Sequence, residues 1–169
     1  MALVVVPRHI AEEAERRGLD IQELVLRALG EALSLDPEEV AKARVEIARR
    51  SLAEAREYVA KGDPIQAGEK LYKAVEECIK ALAEKHKAPQ LEAAKKRGRW
   101  DTWLLGQAAT DLSRRLGEER IKHAWAVAYD IHVWAFHEAK YRVEDVEAAL
   151  PLAEWLLSYT EKALGEVTL

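Results

Sequence analysis

Two aspartate-proline pairs constrain this chain more than any other feature. Asp36-Pro37 and Gly62-Asp63-Pro64 each set an acceptor side chain and then a proline where a helix can begin. Aspartate caps the free N–H groups of a first turn, and a proline there has no N–H to lose. A long stretch with helical periodicity and no further proline follows each pair. The first runs to about Lys61, with Val40, Ile47, Leu52, Ala55 and Val59 on an apolar stripe. The second runs to about His86, where Ile65, Tyr72, Val75, Ile79 and Leu82 recur at helical spacing. Two such helices must bury their stripes against each other and against further helices, so the chain is predicted to be all-α.

The flanks fill in the rest. Leu3, Val4, Val5 and Val6 are β-prone and precede Pro7, which predicts one short strand over 3–6. Helices are expected over 8–17, ending at Gly18, and over 21–33, with Asp20 as cap and Glu23 closing a capping box. Residues 87–100 read as irregular and basic. Asp101 opens a fifth helix that ends near Gly117, and a sixth covers 118–141. A seventh starts near Val143, and Pro151 is expected to kink or restart it. The division expected is a strand-helix-helix dimerisation appendage, 1–35, and an up-and-down bundle of about five helices, 36–169. A lone strand needs a partner for its backbone groups, and the same strand of a second copy supplies one. A homodimer through strand 3–6 and the bundle faces is therefore expected.

Composition excludes several classes. The net charge of −4 argues against a surface built wholly for nucleic acid, and no apolar run approaches a membrane span. A cytoplasmic protein without a membrane association is expected. Cys78 is the only cysteine, so no disulfide forms within the chain, and it reads as a buried small hydrophobe. The absence of Asn and the abundance of Glu, Lys and Arg match thermophile usage. No nucleophile elbow or phosphate-cradling glycine loop is present. No cofactor and no metal are expected.

Two stretches carry chemistry. IHVWAFHE, 131–138, holds two histidines. On a wheel of about 100° per residue His132 sits amid Ile121, Trp125, Ala128, Phe136 and Ala139, and His137 lies about 140° away. His132 therefore reads as a core histidine. His123, Asp130 and His137 repeat every seven residues on another face, beside Trp134 and Tyr141. They form either a groove or a polar seam; an enzyme using that groove is one alternative. The second stretch, 85–100, carries Lys85, Lys87, Lys95, Lys96, Arg97 and Arg99 before Trp100 and Trp103. Cations beside aromatics suit a phosphate and a stacked base, so these residues, with Trp100, are the candidate contact for nucleic acid or nucleotide, set against a merely solvated loop. Glu69, Lys70, Glu76 and Lys80 read as a solvated, ion-paired helix face.

Two resemblances follow. Residues 2–33 resemble a ribbon-helix-helix unit, which implies dimerisation, and a DNA-binding regulator is the alternative it suggests. Arg8 is the one nearby cation, and Leu3 to Val6 offer no polar base reader. The strings YVAKGDPIQAGEKLYKAVEECIKALAEKH, GRWDTWLLGQAATDL and AYDIHVWAFHEAKY are similar to the archaeal PaREP family of helical proteins, and the layout resembles the wider HEPN superfamily of bundles. Ribonuclease members of that superfamily carry an Arg four to six residues before a late His. Here His123 follows Arg115 after seven residues and Arg120 after two, and no Arg precedes His132 or His137 in range. No catalytic residue carries over. A non-catalytic binding or interaction module is the expected function.

Overall fold

The computed structural model describes residues 2–166. Its helices are α1 (Arg8–Arg16), α2 (Ile21–Ala32), α3 (Pro37–Ala60), α4 (Pro64–His86), α5 (Pro89–Arg97), α6 (Thr102–Leu116), α7 (Arg120–Ile131) and α8 (Val143–Ala163); a π-helical turn, His132–His137, continues α7. The aspartate-proline pairs act as the sequence predicts. Asp36 accepts from the Glu39 N–H while Glu39 reaches back to Asp36, a complete capping box, and Asp63 accepts from the Gln66 N–H. α3 and α4 then form the most extensive helix pair, and α6, α7 and α8 close around α4. The core they share begins at Ala41 and runs to Leu164.

Several expectations are corrected. Residues 3–6 are not a strand, so the strand-helix-helix appendage reduces to two helices, and no ribbon is formed among the described residues. Leu3 and Val5 stand exposed, at 89% and 82%. Among the described residues the bundle from 36 on holds six α-helices and a π turn, where about five helices were expected. The added helix, α5, lies in the segment read as irregular. Pro89 starts it, Leu91 and Ala94 bury its inner face, and Lys95, Lys96 and Arg97 lie at its C-terminus, where the helix dipole favours cations. Pro151 neither kinks nor restarts α8; it sits on an exposed face, where the one lost hydrogen bond leaves a carbonyl to water.

The helix predicted over 118–141 ends its α-geometry at Ile131 and closes at His137. Glu138 N–H donates to the Val133 carbonyl, an i→i+5 bond, at 2.9 Å. Here α4 comes unusually close: a Cβ built on Gly68 would lie 2.8 Å from Ala135 Cβ and 3.2 Å from Ile131 Cγ2. Glycine is needed at that crossing because any side chain would push the helices apart.

α1 and α2 differ from the rest. Ala14 is the one buried residue of α1 and Gly30 of α2, and neither helix packs extensively on another. The charged ties to the bundle come from Asp20 and Glu23, at and just after the start of α2.

Candidate functional site

The strongest polar feature is a cluster of ions buried where α2, α3 and α4 meet. Arg44 is 3% exposed and Lys80 1%, although both carry charge. The Arg44 guanidinium grips Glu23 with both terminal nitrogens, at 2.9 and 2.7 Å, and reaches Glu77 at 3.1 Å and Glu84 at 3.5 Å. Lys80 donates to Glu76 at 2.7 Å and to Glu23 and Glu77 at 3.2 Å each. Lys73 adds Glu77 at 3.1 Å and Asp20 at 3.6 Å. Buried charges are tolerated only when paired in this way.

The same pairing sets the acidities. Burial pushes the Glu23 carboxyl up, but the Arg44 hydrogen bonds and the charges of Arg44 and Lys80 outweigh it and bring it down to about 2. Burial likewise opposes the charged forms of Arg44 and Lys80, and their carboxylate partners hold both cations firmly protonated. At Glu84 burial wins over Arg44, and the carboxyl is raised above its ordinary value. Glu23 therefore does not close the capping box expected of it. Asp20 accepts from the Glu23 N–H, while the Glu23 side chain turns to Arg44 and Lys80.

Beside this cluster lies a cavity of about 350 Å³, walled by α2, the start of α3, the end of α4 and α5. Leu26, Leu35, Val40, Leu91 and the Trp100 ring give it an apolar lining; Arg27, Arg44, Lys95 and Arg99 give it cations; Glu23, Glu31 and Glu84 give it anions. Arg44 Nε is buried and has no hydrogen-bond partner. Arg27 donates to the Lys95 carbonyl at 3.3 Å and makes no ion pair among the described residues.

The basic stretch is thus divided by the fold. Lys95, Arg99 and Trp100 border the cavity. Lys85 turns to Glu38 at 3.0 Å, and exposed Lys87 caps α4 in the left-handed conformation. Lys96 is exposed, while Arg97 pairs with Asp101 and lies over the Trp103 ring at 5.4 Å. Trp103, 53% exposed, borders a separate and more open groove near Gln90 and Lys122.

The second candidate stretch is rearranged. His132 and His137 do not point to different sides. The π turn carries five residues between bonded positions and so brings residues i and i+5 together. Their Nε2 atoms lie 2.9 Å apart. His132 is half-buried, stacked on Tyr72 at 3.9 Å, and burial and His137 hold its pKa down at about 4. The line expected on the other face is not brought together. His123 is exposed, Asp130 accepts from the Tyr141 hydroxyl at 2.7 Å, Trp134 is exposed, and His137 turns to His132. Among the described residues no three His, Cys, Asp or Glu side chains gather as a metal site. The solvated face expected on α4 is also overturned: Lys80 is buried and Glu76 nearly so. Cys78 is buried as expected, its thiol pushed up to about 12 by that burial.

Read from the sequence, Glu23 has a capping role only, and none of Arg27, Arg44, Glu77 and Glu84 is singled out. A signal for Arg44 was present. It lies three residues after Ala41 and four before Ala48, on the stripe that α3 buries. A cation on an apolar stripe calls for buried partners.

The profile of the archaeal PaREP1/PaREP8 family matches residues 43–157. The chain belongs to the archaeal PaREP1/PaREP8 family. A crystal structure of a Sulfolobus solfataricus protein is similar to it at 32% identity and a TM-score of 0.64, covering 70% of this chain and 96% of that one. A solution structure of an open-reading-frame product is similar at 32% identity and a TM-score of 0.63, covering 72% and 94%. No curated protein matches. Arg44, Glu77, Lys80, Glu84, Lys95, Arg99 and Trp100 fall within the family region; α1, α2 and the first turns of α3 precede it. Among the described residues no helix is long and apolar enough to cross a membrane.

Proposed function

We propose that this PaREP protein is a non-catalytic binding module for a small phosphate-bearing ligand of nucleotide type, held in the cavity between α2, α3, α4 and α5. One observation carries the reading: a single cavity gathers Trp100, the guanidinium of Arg27, which makes no ion pair among the described residues, and Lys95, Arg99 and Arg44. An aromatic face for a base and convergent cations for a phosphate are the complements a nucleotide needs. Its volume of about 350 Å³ suits a mononucleotide and is too small for a strand. The long α3, the Gly-Asp turn and the long α4 support placing the fold among HEPN-like bundles that bind without cleaving.

Titration with adenosine 5′-monophosphate, followed by calorimetry and tryptophan fluorescence, tests the reading. Binding is expected to weaken about tenfold in Arg27→Ala and in Lys95→Ala, the cost of one charge-assisted hydrogen bond. Trp103→Phe, outside the cavity, is expected to leave it unchanged. A flat titration at millimolar ligand rejects the proposal. Binding of a single-stranded oligonucleotide that depends on Lys96 and Arg97, and not on Arg27, rejects it in favour of the outer face of α5.

A further inference from the structure

The α1–α2 hairpin is an unusual lid. It precedes the family region, and the one solved relative, in its crystal and its solution structure alike, is matched almost in full while just under a third of this chain lies outside the match. It supplies Glu23, Leu26, Arg27, Gly30 and Glu31 to the cavity wall. Its apolar side chains Ile21, Leu24, Val25 and Leu26 are only half-buried, and its specific ties to the bundle are polar: Glu23 to Arg44 and Lys80, Asp20 to Lys73, Arg27 to the Lys95 carbonyl.

Glu23 is the central tie. Its carboxylate takes both forks of Arg44, at 2.7 and 2.9 Å, and the Lys80 ammonium at 3.2 Å. A guanidinium fork joined by an ammonium is equally a cradle for a phosphate monoester. Both cations belong to the family region of the bundle; the carboxylate belongs to the lid. We propose that Arg44 and Lys80 form an oxyanion socket for the ligand's phosphate, that Glu23 is its resident occupant, and that the phosphate enters by displacing Glu23 and releasing α2. The proposal rests on the nucleotide reading above and adds where the phosphate goes and what it must displace.

Two further details agree. Arg44 Nε is a buried donor without an acceptor, so the carboxylate leaves the guanidinium incompletely used, and a phosphate seated side-on can take Nε together with one terminal nitrogen. Glu84, on the other side of Arg44, holds a proton more readily than an ordinary carboxyl, so the site can shed a negative charge as a dianion arrives. Once Glu23 leaves, α2 keeps only the long Asp20–Lys73 pair, the Arg27 bond to the Lys95 carbonyl and half-buried apolar side chains.

Hydrogen exchange on the full chain, with and without saturating adenosine 5′-monophosphate, reads the displacement directly. Ligand is expected to speed exchange in α1 and α2 while α3 and α4 slow or hold. Glu23→Gln is expected to speed α2 exchange without ligand and to tighten binding by about tenfold if the open lid is a one-in-ten state of the wild type. Glu31→Gln, on the same wall but away from Arg44, controls for simple removal of a negative charge and is expected to change neither reading comparably. If ligand binds but slows α2 exchange, or if Glu23→Gln binds no tighter than Glu31→Gln, the latch is overturned and the nucleotide reading stands. If neither wild type nor Glu23→Gln binds, the nucleotide reading itself fails and the displacement with it. The wild-type comparison needs no variant, so a poorly folding Glu23→Gln leaves the test intact.

Discussion

At the scale of single residues, the histidine pair shows how far a side chain's environment departs from its sequence spacing. His132 and His137 share one hydrogen bond between their Nε2 atoms, so one ring donates and the other accepts. His132 Nδ1 is buried without a partner. An orphaned acceptor is better tolerated than an orphaned donor, so His132 is expected to carry its proton on Nε2 and donate it to His137. Nitrogen-detected NMR checks the tautomer. The same spectra test the acidity. With a folded pKa of about 4 against an ordinary 6.5, His132 stays neutral in the fold where the unfolded chain is already protonated. The unfolded state then binds more protons, so His132 costs the fold stability as pH falls from 6.5 towards 4 and costs nothing above that window. His137→Ala is expected to raise the His132 pKa only part of the way, because burial is the larger cause and remains. A full return to 6.5 would contradict that ordering.

At the scale of elements, what the sequence made legible was governed by capping. Asp36-Pro37 and Asp63-Pro64 fixed the starts of α3 and α4 to the residue, because cap and proline act within one turn. α5 carries comparable signals in Pro89 and the basic last turn, but it is only nine residues long, has no side-chain cap, and its apolar face is just Leu91 and Ala94. The π turn was not legible, because its extra residue comes from packing against α4 and not from local preference. Gly68 is the test of that contact. Gly68→Ala sets a Cβ 2.8 Å from Ala135 Cβ and 3.2 Å from Ile131 Cγ2, and both neighbours are buried. Alanine is the better helix former, yet overpacking is expected to win and to cost about 1–3 kcal/mol in chemical denaturation. Glycine's backbone cost is at most about 1 kcal/mol, so a stabilised Gly68→Ala would show that the crossing can relax.

At the scale of the whole molecule, the all-α class was readable because amphipathic stripes report their own burial, whereas the cavity was not, because it is made by two stretches, 23–44 and 84–100, that lie far apart in sequence. Arg27, Arg44, Glu84 and Trp100 become neighbours only once α2 lies across α3 and α4. The division at residue 35 can be put to the same physical test. The core starts at Ala41, and what crosses the boundary is mostly ionic. Removing residues 1–35 takes away Glu23 but also opens Arg44 and Lys80 to water, which solvates the charges that removal unpairs. The penalty is then smaller than the roughly 3–5 kcal/mol of a buried pair broken in place. A chain starting at Asp36 is therefore expected to keep its helical circular dichroism and a single cooperative melt, lowered by several degrees. Glu23→Ala in the full chain likewise frees α2 and lets water reach both cations, so it is expected to melt close to the truncated chain. Loss of the cooperative melt on truncation would show that α1 and α2 are part of the folding unit and not a lid upon it.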